Sequence, residues 1–177
     1  MPALHERLHF DTANGQVLDA DRRYLLLRAD VLMGLFDALP EAARGEALRA
    51  FGRSVARHGI DSLRAYAAEP GVDAQALQRV VESAAASLGW GRWQLTQDGA
   101  TLTLEVRNSP FAAACAPASG PVCQAIAGML EALAAVVFGR AASARESACA
   151  ASNGTPCCCF SARIDSSAPA HPKEMNP

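Results

Sequence analysis

Four potential metal-binding side chains in the last third of the chain place the strongest constraint on its fold. They are Cys123, Glu146, Cys149 and Cys157, which read as C-x22-E-x2-C-x7-C. Three thiolates and one carboxylate match the number and type of donors that a tetrahedral zinc ion accepts. Because these donors belong to separate segments, a shared ion requires a fold that brings the segments together.

Two further cysteines leave the fourth ligand open. Cys158 and Cys159 follow Cys157 directly, and alternation along a strand places them on opposite faces. Either can replace Cys157 as a ligand in a different register. A second interpretation is that the cysteines are small side chains of an alanine-rich core, because free cysteine is among the most buried residue types. The sequence contains no C-x-x-C pair to decide between the two.

Composition and charge limit the class of protein and its partners. Half of the 177 residues are hydrophobic, so the chain can bury one core, and we expect a single domain over residues 1–165 and a disordered tail over residues 166–177. The net charge is -2 without blocks of like charge, so no direct nucleic-acid partner is expected. The longest apolar run, residues 125–138, is too short to span a membrane. These features predict a cytoplasmic protein without a membrane partner, whose cysteines stay reduced.

Hydrophobic periodicity predicts a small N-terminal sheet followed by helices. Residues 8–10 and 17–18 form the expected hairpin, and residues 24–27 continue in side chains that favour strands. Four predicted helices follow: residues 28–39, Glu41 to a stop at Gly59, an N-cap at Asp61 to Tyr66, and an N-cap at Asp73 to about Leu88.

The second half is predicted to form strands around one buried helix. Alternating apolar residues on both sides of Asp98-Gly99 indicate a hairpin over residues 93–106, which ends at Asn108-Ser109-Pro110 and is followed by a loop. Ser119 is the predicted N-cap of a helix that is apolar on nearly all sides, and two strands follow at residues 142–148 and 158–164. We expect this helix to lie at the centre of the fold.

Several short motifs resemble the vinyl-4-reductase domain family. They are VRNSPFA (106–112), PVCQAIAGML (121–130), FGR (138–140), ESAC (146–149) and GTPC (154–157), with Phe160. A weaker similarity extends through the N-terminal half, so the resemblance covers most of the chain up to about Ile164. The family includes the ligand-sensing domains of bacterial activators that respond to phenol and alkylbenzenes, and a protein of bacteriochlorophyll synthesis.

The resemblance implies an α+β fold, with helices packed on an antiparallel sheet as in TRAPP-subunit-like domains, and a homodimer. It also implies zinc held by Cys123, Glu146, Cys149 and Cys157, which match the three cysteines and one glutamate of the phenol-type sensors. Those sensors are joined to an ATPase module and a DNA-binding module, but this chain contains no G-x-x-x-x-G-K-[ST] loop. We therefore expect it to act through a regulatory partner protein or its own dimer.

The resemblance further implies an apolar cavity beside the zinc element, in which aromatic side chains and a histidine contact the ligand. The candidates are Trp90, Trp93, Phe111, Tyr66 and His58. The alternative for each aromatic residue is an ordinary place in the core or on the surface. His58 can instead lie at a helix end and contact backbone carbonyl groups.

Three functions follow as hypotheses. The first is a zinc-stabilised, cytoplasmic sensor or binding domain for a hydrophobic or aromatic ligand, without an ATPase or DNA-binding module of its own. The alternative is an accessory or reductase-associated factor that binds a tetrapyrrole of (bacterio)chlorophyll metabolism, which needs a much larger cleft. A third is a scaffold subunit with a filled core. Catalysis is not expected, because a zinc ion with four protein ligands keeps no open position for water.

Overall fold

The computed structural model describes residues 3–165 and arranges the strands in two antiparallel sheets. The helices are α1 (Leu4–Arg7), α2 (Ala29–Asp37), α3 (Glu41–Ala67), α4 (Ala74–Ser87), α5 (Pro110–Cys115), α6 (Gln124–Phe138) and α7 (Ala150–Asn153). The strands are β1 (His9–Asp11), β2 (Gln16–Asp19), β3 (Arg22–Tyr24), β4 (Arg92–Asp98), β5 (Thr101–Arg107), β6 (Ala142–Ala148) and β7 (Cys158–Ile164).

The C-terminal sheet has the strand order β4-β5-β7-β6, and all neighbours are antiparallel. Its inner face carries apolar side chains at every second position, because successive residues of a strand point to opposite faces. The buried residues of the two central strands are Leu102, Leu104 and Val106 in β5, and Cys158, Phe160 and Ala162 in β7. This face packs against α6, and the opposite face is open to solvent.

Helix α6 is the central helix, as its apolar circumference predicts. Ile126, Leu130 and Leu133 are fully buried between the sheet and α3. The two helices approach closely where Gly52 of α3 meets Gly128 of α6: a Cβ atom at Gly128 would lie 2.0 Å from the carbonyl oxygen of Gly52. The layers therefore run from the sheet through α6 to α3.

The predicted stop at Gly59 and the predicted N-cap at Asp61 are wrong, because α3 runs without a break from Glu41 to Ala67. Gly59 lies inside the helix, where a Cβ atom would come within 2.9 Å of the terminal methyl group of Met129. The glycine is therefore a contact point between α3 and α6. Packing against α6 decides its conformation, rather than its low intrinsic helix propensity.

Two other element boundaries differ from the prediction. The predicted loop after Asn108 contains α5, whose N-cap Ser109 accepts a hydrogen bond from the backbone N–H of Ala112. Helix α6 begins at Gln124 with Cys123 as its N-cap, rather than near Ser119. Helix α5 and the start of α6 therefore lie at the end of the C-terminal sheet where the cysteines are located.

The N-terminal sheet is smaller, and exposed apolar residues follow its last strand. Strand β3 ends at Tyr24, so the predicted extension over residues 25–27 does not pair, and these three leucines are exposed. Arg7 and Asp19 form an ion pair of 2.9 Å, and Arg7 also donates a hydrogen bond to the Tyr66 hydroxyl at 2.6 Å. This polar contact ties the sheet to α3.

The predicted α+β class, with helices packed on an antiparallel sheet, is confirmed. Within residues 3–165, no helix is both long and apolar enough to cross a membrane. The predicted disordered tail, residues 166–177, lies outside the described residues.

Candidate metal centre and adjoining cavity

Four donor side chains converge at one end of the C-terminal sheet. They are Cys123, Glu146, Cys149 and Cys158, and we call them the four-donor cluster. Each comes from a different point of the fold: the N-cap of α6, strand β6, the N-cap of α7 and the first residue of β7. In a regular strand, Glu146 and Cys149 would point to opposite faces, because they are three residues apart. A break in the β6–β7 register between Glu146 and Ala148 changes the direction of the end of β6, so both side chains can point to the same site.

The donor atoms of the four-donor cluster lie within 4.8 Å of one another. The sulfurs of Cys123 and Cys158 are 3.7 Å apart. Two sulfurs bound to one zinc ion at about 2.3 Å in a tetrahedron are separated by about 3.8 Å. Small side-chain shifts therefore bring all four donors to tetrahedral spacing.

Hydrogen bonds hold three of the donors in place. Ser109 Oγ lies 3.3 Å from Cys123 Sγ, and the backbone N–H of Ala150 donates to Cys158 Sγ at 3.3 Å. The backbone N–H of Cys123 donates to Glu146 Oε2 at 2.9 Å. The other carboxylate oxygen, Oε1, is buried and has no hydrogen-bond partner within residues 3–165. A buried carboxylate oxygen without a donor is the environment that a cation completes.

Without a cation, most of the four-donor cluster is protonated, because the pKa values of its members other than Cys149 are raised. Burial, followed by contact with Cys149, raises the pKa of Glu146 to about 8. The pKa of Cys123 is raised by its contacts with Cys149 and Cys158 and by burial. The pKa of Cys149 is lowered, because the thiols of Cys123 and Cys158 donate to it. The arrangement therefore favours one thiolate, on Cys149, and a divalent cation must displace protons from its neighbours.

The residues present fit zinc. Thiolate sulfur and carboxylate oxygen are ligands that zinc prefers, and four donors at these separations form a closed site. Cys123, Cys149 and Cys158 are each almost fully buried, so an ion here has little access to solvent. When bound, zinc supplies a structural cross-link between α6, β6 and β7.

The structure differs from the predicted ligand set at one position. Cys158, rather than Cys157, completes the four-donor cluster. Strand β7 pairs with β5 so that Cys158 lies opposite Val106 on the buried face. Cys157 is only partly buried, and its sulfur lies 4.0 Å from that of Cys159. The sequence left this substitution open, but no sequence signal selects Cys158, because the register of β7 decides it.

A small cavity lies between α3, α4 and the start of β4. Its volume is about 100 Å³, and no charged side chain is among the described residues that line it. We call it the α3–α4 cavity. Its lining residues are Leu4, Tyr24, Gly59, Ser62, Leu63, Tyr66, Val81, Ala84, Ala85, Leu88, Trp90, Trp93 and Met129.

The predicted ligand residues divide into two groups. Trp90, Trp93 and Tyr66 line the α3–α4 cavity. Phe111 lies behind the wall, where its ring packs edge-on against Trp90 with centroids 5.3 Å apart. His58 is exposed on α3 and is absent from the described lining, because the helix turns this position toward solvent.

Sequence reasoning missed several lining residues, among them Met129 and Ser62. The helical period of α6 placed Met129 in a buried helix, but the period does not distinguish a residue of the core from one at a cavity wall. Ser62 carries no sequence signal of its own. Only the packing of α3 against α4 places it there.

Two structural connections join the four-donor cluster to the cavity. Met129 lies six residues after Cys123 on α6, or about 9 Å along the helix axis. Ser109, which contacts Cys123, caps α5, and Phe111 of α5 packs on Trp90 at the cavity wall. The cavity wall and the four-donor cluster therefore rest on the same two helices.

Comparison with known proteins agrees with this architecture. No protein-family model matches the sequence, and no curated protein matches it in sequence. The phenol-responsive sensory domain of the transcription activator PoxR, solved with phenol, matches at a TM-score of 0.75 and 18% identity, over 91% of this chain and 86% of that chain. The expected resemblance to a phenol-type sensory domain is thereby confirmed at the level of the fold.

Two more distant structures also match. A vinyl-4-reductase family protein from Methanocaldococcus jannaschii has a TM-score of 0.46 and 16% identity, over 77% of this chain and 91% of that chain. A trafficking protein particle complex subunit 3 from Naegleria fowleri, covalently bound to palmitic acid, has a TM-score of 0.46 and 14% identity, over 77% of this chain and 95% of that chain.

Proposed function

We propose that this chain is a zinc-stabilised sensor domain for a small hydrophobic ligand with a single aromatic ring. The observation that carries the proposal is the α3–α4 cavity, an apolar chamber with two tryptophans and two tyrosines in its wall. Small-molecule sites are concave and mostly apolar, with a few polar groups that orient the ligand. The PoxR domain of similar fold responds to phenol, which belongs to this ligand class.

The cavity volume favours one ring over a macrocycle. A cavity of about 150 Å³ lined by aliphatic and aromatic side chains binds benzene, whereas sites for drug-sized ligands start at about 300 Å³. At about 100 Å³, the α3–α4 cavity suits a single ring after a small adjustment of side chains. Met129 in its wall is unbranched and flexible, so it can make this adjustment at low cost. A tetrapyrrole does not fit this space.

Tyr66 is the polar group best placed to orient a ligand hydroxyl. Arg7 Nη2 donates a hydrogen bond to the Tyr66 oxygen at 2.6 Å, which leaves the tyrosine O–H proton for another acceptor. In contrast, the Trp93 indole N–H already donates to the backbone oxygen of Trp90 at 3.1 Å. We therefore assign recognition of the ligand hydroxyl to Tyr66 and packing against the ring to the two tryptophans.

Zinc in the four-donor cluster has a structural role in this proposal. Four protein ligands leave no open position for a substrate, so the ion stabilises the fold rather than reacting. It fixes the start of α6 and the end of β6, and α6 carries Met129 into the cavity wall. Loss of the ion is therefore expected to weaken ligand binding.

A thermal-shift titration with phenol, monoalkylphenols and alkylbenzenes tests the ligand class. The matched variants are Ala84→Leu, which fills the cavity, and Ala86→Leu, which makes the same change on the exposed face of α4. We expect at least one compound to raise the Tm of the wild type and of Ala86→Leu, and none to raise the Tm of Ala84→Leu. A shift retained by Ala84→Leu places the ligand elsewhere.

Two results of the same titration contradict the proposal. If no single-ring compound shifts the wild type, the chain is better explained as a scaffold with a filled core. If a tetrapyrrole shifts it and the single-ring compounds do not, the accessory-factor hypothesis is favoured. Metal analysis of the purified protein tests the zinc separately, because an ion content well below one per chain after expression with zinc contradicts that part alone.

A second copy of this chain is our proposed partner for signal output. Large exposed apolar side chains lie in β1, directly after β3 and on α2: Phe10 (53%), Leu25 (82%), Leu26 (69%), Leu27 (50%), Val31 (55%) and Leu35 (62%). Large apolar side chains exposed in this number are typical of interaction sites. We expect sedimentation to report a dimer that Leu26→Asp dissociates and Ala86→Asp leaves intact. A monomeric wild type instead directs the search to a regulatory partner protein.

A further inference from the structure

The two cysteines that the four-donor cluster does not use at the start of β7 lie side by side. Residues 157–159 are all cysteine, and alternation along the strand sends Cys158 to the buried face. Cys157 and Cys159 share the outer face, where their sulfurs are 4.0 Å apart and both side chains are partly exposed. We call these two residues the outer pair.

Core packing does not explain the outer pair. Cysteine is usually found where a small apolar side chain is buried, but the outer face of this sheet is polar and open to solvent. Cys159 lies opposite Glu105 of β5, and its next neighbour on that face of β7 is Ser161. Many polar residues fit such positions, so the fold does not require two thiols there.

The spacing of the outer pair suits one shared metal ion. With metal–sulfur bonds of about 2.3 Å, two sulfurs 4.0 Å apart define an angle of about 120° at the ion. Soft thiolate ligands select soft cations such as copper(I).

We propose that Cys157 and Cys159 form a second metal site, for one soft cation of the copper(I) class. Binding replaces two S–H protons by two metal–sulfur bonds, and the protons pass to solvent. The site is distinct from the four-donor cluster because the backbone of β7 separates the two sets of sulfurs. It is also more accessible, so it exchanges its ion with solvent more readily than the buried cluster does.

Native mass spectrometry of the zinc-loaded protein tests the proposal. The wild type, the double variant Cys157→Ser/Cys159→Ser, and the control Cys115→Ser are titrated without oxygen with copper(I) supplied as its acetonitrile complex. Cys115 is a partly buried thiol of α5 outside both sites. We expect the wild type and Cys115→Ser to gain one copper per chain and keep zinc, and the double variant to bind copper at least tenfold more weakly and keep zinc.

Four results overturn the proposal. The wild type gains no copper, the double variant gains as much as the wild type, or each copper gained displaces one zinc. Loss of zinc from the double variant also overturns it, because Cys157 then belongs to the buried site. The first three results leave the zinc assignment intact, so failure of the second site is distinguishable from failure of the proposed function.

Protection from alkylation provides a site-resolved measurement on the zinc-loaded protein. One equivalent of copper(I) is added before iodoacetamide, and the modified residues are identified by peptide fragmentation. We expect Cys157 and Cys159 to be protected together while Cys115 stays as reactive as without copper. Full reactivity of Cys157 and Cys159 in the presence of copper contradicts the proposal, because zinc already occupies the buried cluster and leaves the copper to these two thiols.

Discussion

The two sheets of this protein differ in how their apolar surface is covered. The C-terminal sheet buries the inner face of its two central strands under α6, and the four-donor cluster lies at one end of it. The N-terminal sheet has three short strands, and Leu25, Leu26 and Leu27 after its last strand are exposed. Arg7 links it to α3, since it pairs with Asp19 of β2 and donates a hydrogen bond to Tyr66 of α3. We propose that a metal ion and core packing stabilise the first sheet, whereas a partner surface covers the leucines that follow the second.

The largest effect is expected at the four-donor cluster. Cys158→Ser is predicted to abolish stoichiometric zinc binding and to lower the free energy of unfolding by at least about 4 kcal/mol, because loss of a metal belongs to the most destabilising classes of change. Metal analysis and chemical denaturation measure both. The matched control, Cys157→Ser on the adjacent outer position, is expected to keep zinc. If the two variants exchange behaviour, Cys157 is the ligand and the register of β7 is shifted by one residue.

Zinc affinity is expected to depend strongly on pH. The pKa of Glu146 is raised to about 8, and the pKa of Cys123 is also raised, so zinc must displace protons from both and from Cys158 below that pH. The apparent affinity should fall by more than about tenfold per pH unit from pH 8 to pH 6, as measured by competition with a chelator.

The matching variant for this titration is Glu146→Gln, which removes one of the displaced protons. It is expected to bind zinc more weakly and to show a shallower pH dependence, by about one proton per ion. An unchanged slope means that Glu146 is not a ligand.

The next effect concerns the packing of α6 on α3. Gly128→Ala is predicted to destabilise the protein by about 3 kcal/mol, because its Cβ would lie 2.0 Å from the Gly52 carbonyl oxygen and the backbones must separate. Gly34→Ala in α2 is the control, since no atom lies within 4 Å of that Cβ position, and it should be neutral or slightly stabilising. Equal effects in thermal denaturation argue against the close approach.

The smallest effect is expected in the N-terminal sheet. Arg7 lowers the pKa of Asp19 by a hydrogen bond, so the ionised carboxylate stabilises the fold above its ordinary pKa of 3.8, and this stabilisation is lost as the pH falls below about 4. Asp19→Asn should therefore cost about 1–2 kcal/mol at pH 7 and much less at pH 3.

Asp30→Asn is the control for that measurement, because it removes an exposed partner of Arg28 and should change stability very little. If both variants behave alike, the Arg7–Asp19 pair does not hold the N-terminal sheet in place.

Sequence reasoning located most elements of the C-terminal half. The Asp98-Gly99 hairpin, the buried helix and the last two strands lie close to where alternation and helical periodicity predict them. It failed where distant packing overrides a local signal. Gly59 is a typical helix terminator, but the contact with Met129 keeps it inside α3.

In the candidate site, too, local sequence signals identify some residues and distant packing decides the others. Cys123, Glu146 and Cys149 were selected on spacing and resemblance, and the structure brings them together. The fourth donor was not predictable, because three consecutive cysteines offer the same chemistry at positions that point to alternate faces. Likewise, the aromatic candidates were recognisable by type, but only the packing of α3 on α4 separates the cavity-lining Tyr66 from the exposed His58.

By itself, the sequence determined the supply of donors, the hairpin turn at Asp98-Gly99 and the apolar helix that the fold must bury, because these depend on residue type and short-range spacing. The tertiary structure decided which sulfur of residues 157–159 joins the four-donor cluster, because the register of β7 against β5 is fixed by pairing across the sheet. It also decided which leucines remain exposed, because burial depends on what packs above them. Both are properties of residues far apart in the chain.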